Sequence, residues 1–403
     1  LEQARQLVAN RKFQTAIEAL DALIATAETG EARYLRGLAY TQLKQYETAM
    51  HDLNAAVQLA PDEPQYYFDR ARVQMTVEPN ANGYAVAFED LGRAIELDPE
   101  HVPAYVQRAM AHQRLRNIHE ALEDYSQAIT IDPDNRIARI NRGYLYATRG
   151  EFAKAIEDFD NVTESPGPES HAVFGYRGSA HANLKHWQKA VDDFTMAIRT
   201  ATTNPAQYYS LRGTAWSQLH DLRAAIDDFS EAIRLAPEVP QYLHQRAMLY
   251  LVLDESESAL ADIERAIELS PKQAKYVYGR GLCYVRQEQW EPALAELSQA
   301  LSMEPRLASA YLVRAEVYEA LGDTRRADDD RDRARAVNPR AKSDLIVLEE
   351  MAAAAKSAAA DGDTDASVAS DDDRDETASD SASVASGDDA DSESALESAS
   401  GVP

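Results

Sequence analysis

The chain has a single cysteine, Cys283, among 403 residues, so no internal disulfide framework holds it together. It contains no stretch of 18 apolar residues, and a membrane-spanning helix is not expected. Bases are scarce: 41 Lys and Arg stand against 68 Asp and Glu, and the net charge is −27. Binding to nucleic acid needs a concentrated basic face to neutralise phosphates, so nucleic acid is not an expected partner; basic proteins are the more natural match. A glycine-rich phosphate loop and a nucleophile elbow are both missing, and no cysteine pair or histidine pair stands at metal-ligand spacing. No catalytic residue, cofactor or metal site is therefore assigned. Cys283 reads as a small buried apolar residue and leaves the compartment open. The first residue is Leu1 rather than Met, so an upstream segment is expected to have been processed or trimmed, and an export signal would fit that place.

What the chain has in quantity is repetition. An Arg-Gly or Arg-Ala pair recurs at Arg36, Arg70, Arg108, Arg142, Arg177, Arg212, Arg246, Arg280 and Arg314, at steps of 34 or 35 residues except for one of 38 after Arg70. The extra residues fall in the turn-rich stretch Val77 to Gly83, read as a lengthened loop. Alanines follow at Ala49, Ala87, Ala121, Ala155, Ala190, Ala225, Ala259, Ala293 and Ala327, and seven residues further on stands Ala56 or its equivalent, down to Ala334. Prolines such as Pro61, Pro99, Pro133, Pro237, Pro271, Pro305 and Pro339 close the units, with Pro166 and Pro168 flanking the fourth boundary. Between these marks the apolar residues recur at three and four, which predicts two helices per unit and no strands. Small residues let helices approach, while Trp216, Phe159, Phe194 and Phe229 fill the holes between them.

This pattern, with a small residue at position 8, tyrosine at 11, alanine at 20 and 27, an aromatic at 24 and proline at 32, resembles the tetratricopeptide repeat family over about residues 1 to 339. The resemblance implies an all-α fold, an α-solenoid wound as a right-handed superhelix of about nine to ten helix-turn-helix repeats. Residues 1–29 form a partial repeat and 30–339 nine repeats; 340–359 form a C-terminal capping helix on the apolar stripe Leu345, Leu348, Met351, Ala352 and Ala355, and 360–403 a disordered acidic tail. The ninth repeat departs from the pattern with Arg331 at the aromatic position, and the fifth lacks its closing proline at Thr202.

Each arginine before the small residue has an acid on the second helix: Asp52, Asp90, Asp124, Asp158, Asp193, Asp228, Asp262, Glu296 and Asp330. Two readings stand open, solvated surface pairs or a partly buried ladder that aligns neighbouring repeats. His112 and His181 replace the tyrosine at position 11 and read as core residues. Asp361, Asp363, Asp365 and Asp372 imitate the start of a calcium loop, but Ala366 stands where its glycine belongs, so no calcium site is expected.

By the family resemblance, the first helices line a concave groove through positions 2, 5, 9, 12 and 13. The groove residues so implied are Ile137, Ile140, Tyr144, Gly175, Ser179, Ser210, Thr214, His244, Met248, Leu251, Tyr278 and Arg286. They form an apolar face with a small-residue centre, suited to a protein or peptide segment. Family members that grip chaperone carboxylates pair a lysine at position 5 with an asparagine at 9; Tyr34 and Leu38 stand there in the first repeat, and no repeat carries the pair. A non-enzymatic interaction scaffold is the expected function. The alternative gives the main role to the tail, which carries fourteen acids and the single base Arg374 from Asp361 onward, as a binder of basic proteins or a cover for Arg72, Arg114 and Arg286.

Overall fold

In the computed structural model, residues 1–164, 167 and 170–366 are described, with side chains as far as Ala359. Pro166, Pro168 and the tail from 367 lie outside the described residues, as do the side chains of the calcium-like aspartates. The described residues form helices and no strand. A short hairpin, α1 (Glu2–Ala9) and α2 (Phe13–Thr26), precedes the repeats. The first four repeats are α3 (Gly30–Gln42) with α4 (Tyr46–Leu59), α5 (Pro64–Val77) with α6 (Ala81–Leu97), α7 (Val102–Arg114) with α8 (Ile118–Ile131), and α9 (Arg136–Thr148) with α10 (Phe152–Thr163). The remaining five are α11 (Ser170–Asn183) with α12 (Trp187–Thr200), α13 (Ala206–Gln218) with α14 (Leu222–Leu235), α15 (Pro240–Val252) with α16 (Ser256–Leu269), α17 (Ala274–Arg286) with α18 (Trp290–Met303), and α19 (Ala308–Ala320) with α20 (Thr324–Val337). A last helix, α21 (Asp344–Ala366), follows. Two compact bodies result, one of α1 to α10 and one of α11 to α21. Within each, a helix packs on its hairpin partner and on the first helix of the next repeat.

The chain turns inside a repeat by the same device almost everywhere. The residue after the first helix's cap adopts a left-handed backbone, with φ of 58° at Lys44, 61° at Arg116 and Lys185, and 80° at Gly322. The next amide then reaches back to the last turn, as Gln45 N–H does to the Tyr40 carbonyl at 2.9 Å, which satisfies a carbonyl that the helix end would leave orphaned. The second repeat is the exception, and here the expected long loop is not found. The connection is only Glu78 to Asn80, and the additional residues lengthen α6 to 17 residues against the usual 14. Asn80 explains this: its side chain accepts from the amides of Asn82 and Gly83 and starts the helix a turn early. Gly83 is required there, because a Cβ would run into the Glu78 carbonyl.

Small residues do carry the close approaches. Ala49, Ala56, Ala225 and Ala232 are fully buried, with Phe159, Phe194 and Phe229 buried beside the second-helix alanines. Gly143, Gly178 and Gly213 each face one of these three rings; a Cβ on Gly178 would sit 2.9 Å from the Phe194 edge. In the ninth repeat Arg331 turns to Glu319 at 2.5 Å rather than entering the core, and Ala327 and Ala334 stay buried beside it.

All nine arginine–acid pairs form. Arg212 is representative: Nε and Nη2 donate to Asp228 at 2.8 and 2.7 Å, and its guanidinium lies 5.5 Å from the Tyr209 ring centre. The Asp228 side chain is 6% exposed, so these are not solvated surface pairs. The third donor reaches backwards: Arg70 to Asn54, Arg142 to Ser126, Arg212 to Thr195, Arg246 to Ser230 and Arg314 to Ser298, at 2.9 to 3.1 Å. Each of these acceptors belongs to the second helix of the preceding repeat, so one side chain fixes both its own hairpin and the joint behind it.

Candidate protein-binding face

Each first helix has one face turned away from its second helix, the face on which the groove residues are expected to lie. In the C-terminal body the centre of this surface is deliberately plain. Gly175 lies against the Tyr208 ring, and the hydroxyls of Ser179 and Thr214 donate to Gly175 and Ser210 carbonyls of their own helices at 2.8 and 3.0 Å. Ser210 itself reaches Gln245 at 3.4 Å. Hydroxyls satisfied in this way need no ligand and compete with none.

Further along, the face is apolar and covered. A cavity of about 290 Å³ is lined by Thr214, His244 and Met248 on one side and by Val347, Leu348 and Met351 of α21 on the other. Tyr278 is buried and donates its hydroxyl to Asp344 at 2.8 Å, so it too lies beneath α21. Burial, then the Asp344 charge, holds the Tyr278 phenol far above its ordinary range, and it remains a donor. Leu251 is 1% exposed and packs inside the core cluster, supporting the face from behind. Arg286 is half-buried, and its Nε has no hydrogen-bond partner among the described residues. Ile137, Ile140 and Tyr144 sit on α9 in the N-terminal body, with Ile137 exposed and the other two half-buried.

His244 is the one strongly perturbed histidine here. Burial, helped by Lys275, lowers it to about 4, and its ring packs 5.4 Å from that of Tyr276. The folded chain thus refuses a proton that the unfolded chain accepts below its ordinary value of 6.5. Stability from this residue is complete above that value and drains away as the pH falls towards 4, by up to about 3 kcal/mol. Thermal melts taken between these pH values should show a decline in the C-terminal body that His244→Gln flattens; superimposable declines would mean that the imidazole is not buried in solution.

The first helices of the N-terminal body carry a different chemistry, around Arg72 and Arg114, which the sequence offered only as residues for the acidic tail to cover. A pocket of about 530 Å³ is lined by Thr41, Gln42, Arg72, Thr76 and Arg114. Beside it Asp69, 5% exposed, accepts from Tyr34 Oη at 2.8 Å, Gln65 Nε2 at 2.7 Å and Arg72 Nη1 at 3.0 Å. This network orients Arg72 and leaves its other donors towards solvent. The sequence signal was present in the arginines at positions 9 and 13 of adjacent repeats.

Reaction chemistry finds little here. No group of His, Cys, Asp or Glu that could hold a metal occurs among the described residues, and none of their helices is long and apolar enough to cross a membrane. Burial pushes the Cys283 thiol up to about 12, which leaves no thiolate to react. His112 stacks on Phe88 at 4.3 Å, a packing contact.

Stacked helical hairpins presenting an inner surface of this kind define an α-helical repeat protein, the class that serves as scaffolds for other proteins. A family model described as tetratricopeptide repeat matches residues 1–64, 106–167, 140–205, 244–295 and 278–327, and the chain belongs to that family. No curated protein matches the chain in sequence. Among solved structures it is similar to YrrB, a TPR protein with an unusual peptide-binding site, at 22% identity and TM-score 0.40, covering 46% of this chain and 94% of that one. It is similar to MamA from Desulfovibrio magneticus RS-1, at 16% identity and TM-score 0.40 over 43% of this chain and 98% of the other. The same holds for yeast Tom70, at 17% identity and TM-score 0.40 over 88% and 94% of the two chains.

Proposed function

We propose that the chain is a non-enzymatic interaction scaffold that holds a segment of a partner protein on the inner surface of its first helices. The observation that carries this reading is the plain stretch of α11 and α13, where the half-buried Ser179 and Thr214 turn their hydroxyls back onto their own helices. Such a surface offers a ligand's backbone small side chains whose donors are already paired. The adjoining His244 and Met248 supply apolar grip.

Site-specific photocrosslinking tests this. Probes at Asn183 and Gln218, on the inner surface, should capture a partner that a probe at Arg265 does not. Removing residues 367–403 should leave the crosslinks intact and little altered by salt. Crosslinks lost on that deletion would favour the competing reading, in which the acidic tail binds basic proteins; equal capture at all three probes would end the groove reading.

A further inference from the structure

The last helix does not simply close the end of the stack. From its start beside α17 and α19 it runs back over α15, and its second half reaches Trp216, Leu219 and His220 at the end of α13. That path follows the inner surface across four repeats. Leu348 is 2% exposed and joins the core cluster of α14 to α19, while Leu345, Met351, Ala352 and Ala355 are partly buried against it. The residues between, Ile346 at 47% exposure and Glu350, face outward. This is an amphipathic helix seated where a ligand would sit.

Its fit is that of a ligand rather than of a core helix. A pocket of about 290 Å³ opens between its first half and α13 to α15, and one of about 720 Å³ opens between its second half and the ends of α13 and α15. Solvent therefore reaches the seam along much of the helix, where close packing would seal a core helix. Glu316 of α19 is raised by burial and, against the pull of a Ser343 hydrogen bond, by the nearby charge of Glu349, so α21 brings a like charge as well as a donor to a desolvated carboxylate. Against this stand one fully buried leucine, the partly buried Leu345, Met351, Ala352 and Ala355, and one anchor, the Asp344 carboxylate on the Tyr278 hydroxyl. The tether from Asn338 to Ser343 is short and non-helical, which keeps the helix at high effective concentration and lets it return after release.

We propose that α21 is the resident ligand of the C-terminal body, displaced by a partner that offers an amphipathic helix of the same pattern: a carboxylate at its first turn, then apolar residues in the spacing of Leu345, Leu348, Met351 and Ala355. The inference rests on the scaffold reading above and narrows it, since an extended strand would not reproduce that stripe. Access to the surface is then governed by competition: the apparent affinity for an incoming helix falls in proportion to the fraction of time that α21 is seated.

The test uses the full chain and a fluorescein-labelled peptide of residues 343–360, followed by anisotropy. Leu348→Glu should release α21, and this variant should bind the peptide at least about tenfold more tightly than the wild type. Asp344→Ala, which removes only the anchor, should give a smaller gain in the same direction. Hydrogen exchange should rise in α21 of the leucine variant while α15 and α17 stay protected. A leucine variant that remains folded yet ignores the peptide overturns the proposal. So does loss of protection throughout α15 to α20 together with no gain for Asp344→Ala, which would make α21 part of the core. Peptide binding without any partner crosslink at Asn183 or Gln218 would sink the scaffold reading and leave this one standing; partner capture while α21 stays fully protected would do the reverse.

Discussion

Replacing Asp228 by leucine is expected to cost about 3–5 kcal/mol, because the Arg212 guanidinium is then left half-buried with two donors unpaired. Arg212→Leu should cost less. The abandoned Asp228 carboxyl is already pushed up by burial, against the pull of Arg212, so it can take a proton and shed its charge. The double variant should be milder than the sum by about 2 kcal/mol or more, since two apolar side chains of similar volume remove the charge problem altogether. Urea unfolding at neutral pH, read by helix content, measures all three. Additivity within about 0.5 kcal/mol would mean that the pair behaves as solvated surface charges do, contrary to its geometry. Since neighbouring hairpins stabilise one another, the transition should also broaden as the middle of the C-terminal body weakens.

A comparable loss is expected where glycine meets an aromatic ring. Phe194→Ala should cost about 3–5 kcal/mol, the price of an emptied site in a fully buried position. Gly178→Ala should cost about 1–3 kcal/mol for the opposite reason, since its new methyl meets the Phe194 edge at 2.9 Å and the Asp193 Cβ at 3.1 Å. The decisive comparison combines Gly178→Ala with Phe194→Leu. The smaller leucine vacates the space that the methyl needs, so the pair should be more stable than its single effects predict. The second repeat already uses that solution, with Ala71 and Leu91 in the corresponding places and both fully buried. Thermal melts of the four chains decide it; strict additivity would show that the two positions do not share one volume.

The repeat frame, the small-residue contacts and the arginine–acid partners were all legible in the sequence, because each depends on residues at most one repeat apart. Periodicity reports such neighbours well. Val77 to Gly83 misled for a local reason: Pro79, Asn80, Asn82 and Gly83 are turn formers, but Asn80 is equally a helix cap, and only the capping bonds to Asn82 and Gly83 decide between the two. The destination of α21 was hidden for a different one. Its apolar stripe could be read from Leu345 to Ala355, yet the surface receiving that stripe is set by contacts such as Tyr278 with Asp344, 66 residues apart, which no period of 34 announces. Position in the repeat offered His244, Met248 and Tyr278 as groove residues, but could not show that a helix of the same chain covers them.

The backward reach of the ladder arginines also grades the seams between repeats. Where the preceding helix offers Asn54, Ser126 or Ser230, the joint is bolted by the same side chain that clasps the hairpin. The second repeat offers Gly92 at that place, with open space around it, and Arg108 bonds only to its own Asp124. The seam between α6 and α7 therefore goes without that bolt and is held by other means, Phe88 stacked on His112 and Arg114 donating to the Tyr84 hydroxyl at 3.4 Å.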